Sequence, residues 1–142
     1  MCLMPKAWDL RERTIEFAVL TYRFCRTVPD TAEARDIARQ LRRAASSVAA
    51  NSRALRRSQS DRAFAAKAAV IIEEADEAGF WLELLVLTGV AGTEAVSELL
   101  KESNELVAIF TASKKTITAR LNARKSLESQ REGSRRPNSP DL

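Results

Sequence analysis

The strongest constraint in this chain is a spacing. Ala34, Ile37, Ala38, Leu41, Ala44, Ala45, Val48, Ser52 and Leu55 recur at steps of three and four, and the residues between them are mostly polar or charged. That period traces one face of an α-helix and excludes a strand, whose side chains alternate every second residue. A face so rich in Ala and Ser lets a neighbouring helix come close, so the chain must supply other helices to cover it. The QLRRAASSVAANSRALRRS segment is therefore a packing seam up to Asn51, a polar residue that needs a partner if it is buried.

Three further helical blocks flank this one. Only four glycines and four prolines interrupt 142 residues, and two of the prolines fall in the last six. Ala, Leu, Glu and Arg dominate, which sets the class as all-α. The pattern predicts helices over about 9–28, 32–57, 60–88 and 93–123. Asp9, Thr31 and Thr93 stand at cap positions, Ser58 with Asp61 resembles a capping box, and Pro29, Gly89 and Gly92 mark the breaks. Residues 124–142, rich in Ser, Arg and late Pro, are expected to be a disordered polar tail. Four long helices with short connections form an antiparallel up-down-up-down four-helix bundle over residues 1–123. The first and third helices are apolar on more than one stripe, and Phe17, Phe24, Phe80 and Trp81 fall outside the main seam. They are expected at a subunit interface, making the protein a homo-oligomer.

Charge is unevenly distributed. The net charge of +4 comes from 23 Lys and Arg against 19 Asp and Glu. Counting outward from a turn near Ser58 puts Arg43 beside Glu73, Arg42 beside Glu74 and Arg39 beside Glu77. These pairs read as structural salt bridges that fix helix register, each worth about 0.2–1 kcal/mol if exposed. Arg53, Arg56, Arg57 and Arg62 instead cluster at the tip between the second and third helices, with only Asp61 for company. Lys114, Lys115 and Arg120 come level with that tip, and Lys6, Arg11 and Arg13 join from the start of the first helix. The opposite end is acidic, with nine carboxylates and one lysine between Glu73 and Glu105. A basic end of this kind binds phosphate backbones, most strongly when several subunits present it together.

Much chemistry is excluded. The chain has no histidine, so imidazole acid–base catalysis and histidine metal sites are absent. No P-loop or dinucleotide-binding glycine motif occurs. Cys2 and Cys25 have no metal-ligand spacing and are too few for a disulfide framework. Glu73, Asp76 and Glu77 have spacing compatible with Mg²⁺, but a charged helix face has this composition routinely. No metal, cofactor or catalytic residue is therefore expected. The first residues lack the apolar core of a secretory signal, and FWLELLVLTGVAG is short and carries Glu83, so no membrane span is expected either. A reduced, cytoplasmic setting fits.

The central segment resembles a known family. Gln40, Arg42, Arg43, Ala44, Ala45, Ser47, Asn51, Arg53 and Ala54, followed by Ser60, Phe64, Lys67, Glu73, Glu74, Asp76, Glu77, Trp81, Leu82 and Glu83, are similar to the central hairpin of the 23S ribosomal RNA intervening-sequence proteins. Many relatives carry Pro at position 49 and Glu-Gly at 54 and 55, where this chain has Ala49, Ala54 and Leu55. Without that glycine the second helix is expected to extend towards Ser58. The resemblance implies a four-helix bundle assembled as a pentameric ring, without established enzyme activity. It also implies kinship with the accessory variability proteins of diversity-generating retroelements, which bind a reverse transcriptase and nucleic acid.

The expected function is thus non-enzymatic binding of RNA or DNA, weakly sequence-specific, through Arg53, Arg56, Arg57, Arg62, Lys114, Lys115 and Arg120. An accessory role to a reverse transcriptase or another nucleic-acid enzyme is part of that reading. The alternative is a protein-interaction scaffold that binds no nucleic acid.

Overall fold

The Ala-rich face of the second helix becomes the centre of the molecule. The computed structural model describes residues 9–135 and consists of α1 (Leu10–Cys25), α2 (Ala32–Leu55), α3 (Asp61–Leu87) and α4 (Thr93–Ser134). Every member of the predicted α2 face, from Ala34 to Leu55, is buried. Each helix packs on the next, and α4 closes back on α1 through a smaller contact, giving an all-α four-helix bundle. The fold class read from the sequence is therefore correct. The core joins the α2 face to Ile71, Leu82 and Leu85 of α3 and to Leu106 and Phe110 of α4.

Local signals place the helix ends. Thr31 caps α2 by accepting from the Ala34 N–H at 3.2 Å, and Ser60 caps α3 by accepting from Ala63 at 3.1 Å. The α3 cap is thus Ser60 rather than Ser58, and α4 begins after Gly92, with Thr93 as its first residue. Gly89 takes φ 77° just past α3, a left-handed conformation open to glycine, and its N–H donates to the Val86 carbonyl. The Ala91 N–H reaches back to the Leu85 carbonyl and tightens this turn. α1 stops at Cys25, three residues before the predicted end, and α2 stops at Leu55 in spite of lacking the family's glycine.

α1 turns a different face inward from the one its apolar residues suggest. Thr14, Phe17, Thr21 and Cys25 are buried, while Ile15, Val19, Leu20 and Tyr22 are each about two-fifths exposed. Two threonines are tolerable inside because their hydroxyls bond to their own helix, Thr21 to the Phe17 carbonyl at 2.7 Å and Thr14 to the Arg11 carbonyl at 3.0 Å. Phe17, at 1% exposure, belongs to the subunit core and cannot line an interface. Phe24 and Trp81 are half-buried against the same core, and only Phe80 of the four expected aromatics stands exposed.

The last difference concerns α4. It runs for 42 residues, through Ser134, so the predicted disordered tail is helical over most of its described length. Residues 124–132 contain Ala-like helix formers (Arg, Lys, Leu, Glu, Gln) and no breaker before Gly133, which composition alone obscured. From Asn122 onward every described residue is exposed. Among the described residues no helix is long and apolar enough to cross a membrane.

Candidate nucleic-acid interface

The α2–α3 register sorts the arginines. Arg43 donates to Glu74 at 3.4 Å and to Glu77, which also accepts from the Trp81 indole at 3.1 Å. Glu74 and Glu77 flank the buried Ala75 and Ala78, whereas Glu73 faces solvent and forms no ion pair among the described residues. The expected Arg43–Glu73 pair is therefore replaced by Arg43 with Glu74 and Glu77. The Arg43 guanidinium, then the indole, hold the Glu77 carboxyl below its ordinary range. Arg39 pairs with Asp36 of its own helix at 2.8 Å instead of with Glu77. Arg42 lies beside Cys25 rather than Glu74, opposing the effect of burial, which raises the thiol above its usual range. Asn51 finds its partners in Ser47, through its amide N–H, and Lys67, whose ammonium donates at 3.4 Å.

Arg13 departs furthest from the sequence reading. α1 is 16 residues long against 24 for α2, so its start lies near mid-bundle and not at the basic tip. There Arg13 is buried and donates to Glu102 from Nε at 2.6 Å and Nη2 at 2.9 Å, and to Glu105 at 2.5 Å. The two carboxylates raise its pKa further. It ties α1 to α4 and contributes nothing to a basic surface. Lys6 lies outside the described residues.

At the tip itself, Arg53, Arg57 and Arg62 are exposed and make no ion pair among the described residues, and Arg56 is exposed beside them. Asp61, the first residue of α3, is held by Arg120 at 3.7 Å and by Arg124, which lies within the segment expected to be a disordered tail. Helix α4 thus reaches the tip as expected, but Arg120 and Arg124 are the residues level with it. Lys114 and Lys115 sit six and five residues short of Arg120, about 9 and 7 Å up the side of the bundle. Lys114 is half-buried and Lys115 exposed. The arrangement offers several exposed cations to an anion. The described residues contain no group of three or more His, Cys, Asp or Glu side chains placed to hold a metal. At the other end an open groove of about 720 Å³ runs between α3 and α4, lined by apolar Val86, Leu87, Val96 and Leu100.

No curated protein matches the chain. A protein of unknown function from the S23 ribosomal protein family of Bacteroides thetaiotaomicron is similar in structure, with a TM-score of 0.64 and 26% identity. The match covers 75% of this chain and 98% of that one. The family model described as 23S rRNA-intervening sequence protein matches residues 6–112. The helical hairpin from Gln40 to Leu85, with its Arg43 clamp and Asn51–Lys67 contact, lies inside that span, and the chain belongs to the 23S rRNA-intervening sequence protein family.

Proposed function

We propose that the protein binds RNA or DNA without catalysis, through phosphate contacts at the end of the bundle formed by the α2–α3 turn and α4. The observation that carries this reading is the contrast between paired and unpaired arginines. Arg13 and Arg43 are consumed by carboxylates of the fold, while Arg53, Arg57 and Arg62 are exposed at one tip without an ion pair among the described residues. Such contacts position a backbone and carry little base information. Weak sequence dependence follows, since among the described residues no large aromatic ring is exposed at this end for base stacking.

Assembly belongs to the same reading. Ile15, Val19 and Tyr22 form an exposed stripe on α1, and Phe80 is 52% exposed on α3. Covering these surfaces with other copies, as a ring of five or another closed assembly, would bring several basic tips together. A cytoplasmic role as accessory to a reverse transcriptase or another nucleic-acid enzyme is consistent with a surface that holds a backbone and performs no chemistry. The exposed apolar residues equally support a second reading, a protein-interaction scaffold with charges for solubility.

Replacing Arg53, Arg57 and Arg62 together by Ala discriminates between them. Each cation that contacts a phosphate contributes about one unit to the slope of log affinity against log salt. The triple variant is expected to bind a labelled nucleic acid more weakly with a slope shallower by about two to three. Equal affinity and slope for variant and parent would refute the basic-tip reading and favour the scaffold.

A further inference from the structure

The seam of α4 changes chemistry where α3 begins. Phe110, Ile117, Arg124 and Arg131 follow one another at seven-residue steps and so share one helix face, drifting by only about 20° per step. Phe110 is fully buried in the core and Ile117 half-buried. Arg124 meets Asp61 at the first residue of α3. Ten more residues, about 15 Å of helix, then project past the bundle end before Ser134. The inward face of α4 thus continues beyond the core as arginine, overhanging the tip that carries Arg57 and Arg62. From Arg120 to Arg135 the chain holds five basic residues against Glu128 and Glu132, and neither glutamate forms an ion pair among the described residues.

We infer that this overhang and the tip form one notch for the phosphate backbone of a nucleic-acid duplex, and that Asp61 occupies the notch as a built-in competitor. This inference rests on the proposed nucleic-acid reading and specifies its ligand and its control. The overhang is a continuous helix and Arg62 stands in the first turn of α3, while Arg57 lies in the α2–α3 turn. Cations carried on a straight helix recur at regular steps along it, which favours a rigid ligand. A flexible single strand gains its affinity largely from stacking on aromatic rings, and among the described residues no large ring is exposed at this end, Tyr22 and Phe80 lying elsewhere. Arg120 and Arg124 share a single carboxylate in the free protein. An incoming phosphate takes the place of that carboxylate between the same two guanidinium groups, which suit phosphate geometry.

The test uses fluorescence anisotropy with a labelled 20-base-pair RNA duplex, the DNA duplex of the same sequence, and one single strand. The full chain is compared with Arg124→Ala/Arg131→Ala and with Asp61→Asn, each checked for an unchanged helical signal by circular dichroism. The paired arginine replacement is expected to weaken duplex binding and to reduce the salt slope by about two. Asp61→Asn is expected to bind about twofold to thirtyfold more tightly, the gain from not having to break the two ion pairs to Arg120 and Arg124. Duplex is expected to bind more tightly than single strand. If the tip variant at Arg53, Arg57 and Arg62 loses binding while the overhang variant and Asp61→Asn match the parent, the notch is refuted and the basic-tip reading stands. Absence of binding by the parent protein to every probe refutes both.

Discussion

Arg13→Met is the sharpest test of how the bundle is closed. The Arg13 side chain is 9% exposed and spans to Glu102 and Glu105, whose side chains are 27% and 30% exposed. Methionine keeps most of the apolar stem in place, so the change isolates the charge. Removing it strands two carboxylates one helical turn apart, each desolvated over most of its surface. For a fully buried pair such a break costs about 3–5 kcal/mol. Partial access to water at both glutamates lowers the expectation to roughly 2–3 kcal/mol. For a chain of this length that corresponds to a fall in Tm of about 5–10 °C. Urea denaturation followed by far-ultraviolet circular dichroism, at one fixed protein concentration, reads the loss directly. A companion variant, Arg13→Met with Glu102→Gln and Glu105→Gln, removes the stranded charges and is expected to recover at least half of it. A loss below about 0.5 kcal/mol for Arg13→Met would refute the tie between α1 and α4.

Other consequences follow from the same interior. The Glu77 carboxyl is held below its ordinary range by Arg43 and then Trp81, so it contributes stability that is present above the unfolded glutamate pKa and is lost as pH falls through the lower, folded one. Glu77→Gln is expected to flatten the acid limb of the stability profile, and an unchanged limb contradicts the assignment. A methyl carbon at Gly79 would sit 3.1 Å from the Ser103 hydroxyl, where α3 and α4 approach closely. Gly79→Val is expected to destabilise the fold by about 1–3 kcal/mol through overpacking, and a Tm equal to the parent's would show that the contact is loose.

The sequence carried the fold well where period and burial coincide. The α2 face from Ala34 to Leu55 was readable residue by residue because its inward positions are apolar or small and its outward ones charged. It failed on α1, where the inward face holds Thr14 and Thr21. A threonine satisfied by its own backbone is chemically quiet in a core but looks polar in a pattern. Phe17 was misplaced for the same reason. Register was legible to within about a turn, enough to bring Arg43 to the EEADE segment but not to choose Glu74 and Glu77 over Glu73. Arg13 was unreadable because helix length, not charge, decides which end of the bundle a residue occupies. α1 ends where Phe24, Thr27 and Pro29 shape its turn, leaving its start near mid-bundle. The overhanging arginines were hidden by a tail whose helical part is polar apart from Leu127, since an exposed helix has no apolar stripe to betray it. Their signal was the seven-residue step from Phe110 through Ile117 to Arg124 and Arg131.

The central claim is that this end of the bundle holds a phosphate backbone by charge. The most direct measurement is the affinity of the unmodified full-length chain for an RNA duplex across a salt titration. Four to six phosphate contacts from the tip and the overhang predict a straight line of log affinity against log salt with a slope of about −4 to −5. Affinity should be nearly equal for duplexes of unrelated sequence. A slope near zero, or no binding even at low salt, would contradict the account.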